Sequence, residues 1–218
     1  MKNAYGLPDG PTIEYYYISK KKQAEGNYLN GKREGLWIDW YENGQKSQES
    51  HHSVGKFNGL VTYWHSNGQK DREINYSNGI KEGVSRLYYP NGQLETEENH
   101  IAGNRHGPYI RWFENGTKEF ERNYVNNKLE GLSTIWDDQG RKKSEEMYQN
   151  GKRHGAWISW YLDGKKEFER NYAYGRLDGI LTIWDENGTK RRETTYKEGK
   201  ELGRTSWDET GPLVDNAQ

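Results

Sequence analysis

Residues 35–46 read GLWIDWYENGQK, and residues 59–70, starting 24 positions later, read GLVTYWHSNGQK. In each, a short run rich in aromatic and β-branched residues stops at Asn-Gly. Asn-Gly takes positive φ at low cost, as a tight hairpin turn requires, and such runs suit strands better than helices. A second run follows, SQESHH after the first stretch, and ends at a further glycine. Working outward, a glycine recurs at Gly35, Gly59, Gly83, Gly107, Gly131, Gly155, Gly179 and Gly203, always 24 residues apart. With these as position 1, position 6 is Trp40, Trp64, Tyr88, Trp112, Trp136, Trp160 and Trp184, position 10 is always Gly, and position 15 is always Glu, from Glu49 to Glu193. Position 18 is Tyr or His, and position 21 is Gly except at Asn127. The period is that of a structural repeat, each unit reading as one β-hairpin. Within the repeats glycine recurs at intervals no longer than 15 residues, so no helix template competes.

A degenerate unit precedes the series, with Tyr16, Glu25, Tyr28 and Gly31 in phase and Lys20 in place of the turn glycine. A broken one follows, with Trp207 and Gly211 one residue early, and PLVDNAQ reads as a frayed tail. The heptapeptide KEFERNY occurs at residues 118–124 and 166–172, 48 apart, which points to a recently duplicated pair of units. The chain thus divides into an N-terminal extension (1–10), eight repeats (11–203) and a degenerate C-terminal cap and tail (204–218).

Only 31% of the residues are apolar and 30% are charged, a balance that ordinarily signals disorder. Nine Trp, 17 Tyr and four Phe argue the other way, because each large ring buries on the order of 150–250 Å². One hairpin cannot bury its aromatic face alone, so neighbours must stack, adding roughly 10 Å per unit. The expected fold is all-β, an elongated single-domain, solenoid-like antiparallel meander that twists and curls. A three-residue loop at positions 8–10 pairs even with even positions. It puts positions 2, 4 and 6 (Leu36, Ile38, Trp40) on the packed face with positions 14 and 18, and leaves positions 3, 5 and 7 with the Glu row on the other.

The net charge of −1 is evenly spread and gives no field to attract nucleic acid or an anionic membrane. Membrane association is open but not indicated. No stretch has the length of a membrane span, and the first 25 residues hold no signal-type apolar segment, so the chain as written reads as cytoplasmic, or as periplasmic or lipid-anchored if a leader precedes it. The absence of cysteine excludes disulfides and thiolate metal sites.

No catalytic, cofactor-binding or metal-binding residue is assigned. The six histidines form no metal-ligand spacing. His52 and His100 fall at position 18 and read as aromatic substitutes in the packed row, while His106 and His154 read as solvated residues of the inter-unit turn. The Glu ladder most simply pairs with the lysine at position 12, as in Lys46, Lys118 and Lys166, rather than supplying paired catalytic carboxylates. DENGTK at Asp185 lacks calcium-loop spacing and reads as a turn.

The pattern GxWxxWYxNGxK, followed by xxExxYxxGK and the next glycine, resembles the variant MORN repeat, and the array is similar to the bacterial YwqK-type antitoxin family. The resemblance implies a repeat β-sheet that binds another protein, often a toxin that it neutralises; some relatives resemble immunity proteins of secreted effectors. What varies between units is where recognition is expected, since exposed Trp, Tyr and Arg carry interface hot spots. The expected partner-binding residues are Trp37, Tyr41, Tyr63, Tyr89, Tyr109, Arg111, Phe113, Trp157 and Tyr161. The expectation is a non-enzymatic antitoxin or immunity protein, a monomer or 1:1 heterocomplex with a cognate toxin or effector. The alternative is a MORN-type structural or membrane-associated scaffold.

Overall fold

The computed structural model describes residues 2–208 and 211–215. The chain forms two compact units, Met1–His106 and Gly107–Gln218, and among the described residues every regular element is a strand. In the first unit Gly10–Tyr15, Lys22–Leu29, Lys32–Trp40, Lys46–Ser53, Lys56–Trp64, Lys70–Ser77, Ile80–Tyr88 and Leu94–Ile101 each pair antiparallel with the next. The second unit repeats the meander from residues 107–112 through Lys118–Val125, Gly131–Trp136, Lys142–Gln149, Lys152–Trp160, Lys166–Ala173, Gly179–Trp184, Lys190–Lys197 and Lys200–Asp208.

Two kinds of turn alternate. At positions 20 and 21 both residues take positive φ, as in Asn78 (51°) with Gly79 (82°), the two-residue turn whose twist matches the flanking strands. Asn127 takes φ 64° there, because its short polar side chain tolerates the left-handed region; that explains the one departure from glycine. At positions 8–10 the loop has the expected three residues. Gly44 N donates to Tyr41 O at 2.9 Å, Tyr41 N donates to Gln45 O at 2.8 Å, and Gly44 has φ 90°.

The expected register does not follow from that loop. Trp40 faces Lys46, but Asp39 faces Gln48, so Ser47 is an extra residue in the second strand, a β-bulge. The same shift recurs in every hairpin of this type. One inserted residue turns the rest of the strand over, so Ile38 lies opposite Glu49 and Trp37 opposite Ser50. Positions 3 and 5 therefore share a face with 14, 16 and 18, and positions 2, 4 and 6 share the other with 15 and 17.

Burial follows this corrected register. Trp37 and Val61 at position 3 are 0% exposed, while Leu36 and Leu60 at position 2 are 44% and 45% exposed, the reverse of the expected order. Position 4 is intermediate in character, its threonines Thr62, Thr134 and Thr182 being buried, and the position-6 tryptophans are half-buried. Trp37 lies flat against Gly26. Its Nε1 donates to Asn27 O at 3.0 Å, Tyr28 meets its edge at 4.9 Å, and the Arg33 guanidinium stacks 3.9 Å from its ring centre. In the second unit KEFERNY does similar work. Phe168 and Tyr172 sit 5.1 and 6.2 Å from Trp157, and Phe120 and Tyr124 sit 5.1 and 6.2 Å from Tyr109.

At the C-terminal end, Gly211–Asp215 forms a strand paired with Lys200–Asp208, with Val214 opposite Thr205, so the expected frayed tail is corrected over these residues. Pro212 is compatible with this place because a strand paired on one side spares some N–H groups. The remainder of that tail, 216–218, lies outside the described residues.

Candidate binding surface

The two faces differ in how much they repeat. On the face of positions 2, 4, 6, 12 and 15, one motif recurs through both units. The position-12 lysine bonds the position-15 glutamate three residues on: Lys22–Glu25, Lys46–Glu49 and Lys166–Glu169 at 2.6 Å, Lys118–Glu121 at 2.7 Å, Lys142–Glu145 and Lys190–Glu193 at 2.5 Å, and Lys70–Glu73. The same ammonium lies over the position-6 ring of the following repeat, from 4.9 Å for Lys22 on Trp40 to 5.9 Å for Lys70 on Tyr88. The Glu row thus has the structural role expected of it, and each strut ties one hairpin to the next. Such exposed pairs contribute at most about 1 kcal/mol each.

Tyr88 shows what happens when the indole is replaced. Its hydroxyl donates to Glu73 at 2.6 Å, and burial together with that carboxylate pushes the phenol up to about 12. Burial pushes Glu73 up as well, but the hydrogen bonds from Lys70 and Tyr88 outweigh it and hold the carboxyl below its usual value.

Position 7 also has a structural task where it is tyrosine. Tyr41 OH donates to Trp64 O at 2.7 Å, and Tyr161 OH donates to Trp184 O at 2.8 Å, each bridging to the next repeat. The half-buried Tyr89 and Phe113 stand at the same point of their turns, where Gly92 N donates to Tyr89 O and Phe113 N to Thr117 O, both at 2.8 Å.

On the opposite face the Tyr or His of position 18 recurs, but positions 3 and 5 vary. Position 5 is Asp39, Tyr63 and Leu87 in the first unit and Arg111, Ile135, Ser159 and Ile183 in the second, all half-buried. Burial raises the Asp39 carboxyl above its ordinary value, with Arg33 pulling it back. Arg72 stacks on Tyr63 at 4.5 Å; Arg111 reaches Glu119 at 3.2 Å; Ser159 Oγ donates to Glu167 at 2.7 Å. Tyr109 and Trp157 at position 3 are half-buried against their phenylalanines. Trp37 is the exception among the expected partner-binding residues: wholly buried, it is unreachable, and its inclusion is corrected.

Sequence reasoning missed the exposed aliphatics of position 2, Leu36 and Leu60 in the first unit and Leu132 and Ile180 in the second, each 44–49% exposed. The bulge hides them from a simple alternation argument. His52 and His100 are buried in the position-18 row as expected, His52 4.8 Å from Phe57. His106 and His154 are corrected: the inter-unit turn takes only two residues, so both lie in strands, His154 5.3 Å from Tyr174. The Asp185 stretch is a turn whose carboxylate accepts from Asn187 N and Thr189 N at 3.0 and 2.9 Å. Among the described residues, no group of three or more His, Asp or Glu is placed to hold a metal ion.

A family model described as "MORN repeat variant" matches residues 33–53, 57–78, 81–102, 105–126, 153–174 and 177–198, together more than half of the chain. No curated protein matches the sequence.

Proposed function

The chain belongs to the MORN repeat variant family, and on that premise we propose that it is a non-enzymatic binding protein, an antitoxin or immunity protein that captures and neutralises one bacterial toxin or secreted effector. The observation that carries this reading is the contrast between the faces. The lysine–glutamate–ring motif is nearly identical in every repeat but the one where Leu94 replaces the lysine and Arg86 pairs Glu97, whereas position 5 changes from Asp39 to Tyr63 to Leu87 within three consecutive repeats. A scaffold for a uniform surface has no use for such variation; a surface shaped to one irregular partner does. Tyr63 in the first unit, and Tyr109, Arg111 and Trp157 in the second, are the residues of these positions that such a partner would meet, with Tyr41 and Tyr89 on the turn side of the first unit and Phe113 and Tyr161 on that of the second.

The test is co-expression with the product of the adjacent reading frame. Restored growth of the host and co-purification as a 1:1 complex are expected. A toxic neighbour that is neither neutralised nor retained overturns the proposal. One observation favours the second reading, a membrane-associated scaffold: the half-exposed aliphatics Leu36 and Leu60 stand on the same face as the lysine ladder. Flotation with anionic liposomes decides it, since binding that needs Leu36 and Leu60 supports a membrane role and its absence removes it.

A further inference from the structure

Within the first unit the position-3 row runs Trp37, Val61, Ser85. Trp37 fills its place with an indole, and Ser85 fills the equivalent place with a hydroxymethyl group. Beside Ser85 lies a hollow of about 170 Å³, open on one side and lined by Arg72, Ile74, Lys81, Ser85, Leu87 and Glu98 among others. That volume is close to the roughly 150 Å³ of an engineered cavity that takes up benzene, so it is the size of one aromatic ring.

The walls match such a ring. Ser85 is flanked across the strands by Ile74 and Glu98, and Leu87 by Arg72 and Thr96, so aliphatic surface stands on two sides. Lys81 occupies the position from which Arg33 stacks on Trp37 in the first hairpin and Arg153 stacks on Trp157, at 3.9 and 4.2 Å. Lys81 Nζ is held 3.9 Å from Glu98, and both residues line the hollow. At the floor, Ser85 is 5% exposed and its Oγ is buried and makes no hydrogen bond. A buried hydroxyl without a partner costs about 1–3 kcal/mol, and a donor entering the hollow would relieve that cost.

We infer that the hollow over Ser85 is a receptor for a single aromatic side chain of the protein partner, a Trp or Tyr whose N–H or O–H donates to Ser85 Oγ. The incoming ring occupies the hollow beside Ser85, not the place over Gly26 that Trp37 takes, since Ile74 stands at that position here; Lys81, Ile74 and Leu87 line the space it enters. The inference deepens the binding reading and rests on it for the identity of the partner, but the isolated chain suffices to test it.

The probe is N-acetyl-tryptophanamide, titrated into the ¹⁵N-labelled full chain, with N-acetyl-leucinamide as the control. Saturable shifts of the Ser85, Leu87 and Thr96 amides are expected with the aromatic amide and not with the leucine one. Ser85→Trp fills the hollow from within and abolishes the shifts, while the amide spectrum of the other repeats certifies that it has folded. Ser85→Ala keeps the space but removes the acceptor and weakens binding about 3- to 10-fold. No saturable shift at these residues, or shifts that survive Ser85→Trp, overturns the inference. Either result leaves growth rescue by the co-expressed chain untouched, so the hollow and the antitoxin role fail independently.

Discussion

Gly26→Ala places a methyl group where Trp37 already is. A Cβ built on Gly26 lies 2.3, 2.4 and 2.6 Å from Cδ2, Cε2 and Cγ of that ring, about 1 Å inside ordinary van der Waals contact. The ring cannot slide aside, since its Nε1 is bonded to Asn27 O, Tyr28 closes one edge, Arg33 covers the ring and no part of the residue is exposed. Overpacking a closed site costs roughly 1–3 kcal/mol, and expelling the indole would cost about 3–5, as in truncations of buried aromatics. A loss of about 3 kcal/mol is therefore expected for Gly26→Ala in urea unfolding followed by circular dichroism. The double variant Gly26→Ala with Trp37→Ala is expected to be no less stable than Trp37→Ala alone, because the clash has gone. A loss below about 1 kcal/mol, or strict additivity in the double variant, would refute the packing described for Trp37.

Three further outcomes follow from the same geometry. Val54 holds φ 50° in a two-residue turn where Asn30, Asn78, Asn126 and Asn150 stand in other repeats; Val54→Asn should stabilise by about 1 kcal/mol, read as a higher melting temperature, and a lower one would contradict it. Lys118→Met breaks the pair with Glu121 and the contact with Trp136, yet both charged side chains are over 40% exposed, so unfolding free energy should change by less than about 1 kcal/mol and lose part of its salt dependence. Burial lowers the imidazoles of His52 and His100, in His100 against the pull of Glu98, so as pH falls through about 6.5 the unfolded chain takes up protons first. Their contribution is complete above that pH and is lost below it. Melting temperatures at pH 7.5 and 5.5 should therefore differ more for the wild type than for a variant carrying His52→Tyr and His100→Tyr, the residue most repeats use there.

What the sequence made legible was whatever recurs. The 24-residue glycine period marks both turns, the Asn-Gly stretches mark the three-residue loop, and the Lys and Glu columns mark their own pairing. What it hid was the inserted residue after that loop. Position 13 is polar in every repeat, as at Ser47, Asp71 and Lys143, so no apolar residue falls out of alternation to betray a bulge, and the faces were exchanged. A subtler signal was present. Gly26 is the only glycine at position 16, and it belongs to the repeat preceding the fully buried Trp37. The candidate surface was legible as a set of varying positions, but the split between the buried Trp37 and the half-buried Tyr63 depends on what lies across the neighbouring strand.

Tyr63 and Leu60 are three residues apart on the strand Lys56–Trp64 and point to opposite faces. A photo-activated benzoylphenylalanine at each, in cells that also make the product of the adjacent reading frame, tests the partition of the sheet into a uniform face and a reading face. A cross-link to that product is expected from residue 63 and none from residue 60; a cross-link from 60 alone, or from neither while the two proteins co-purify, would contradict the partition.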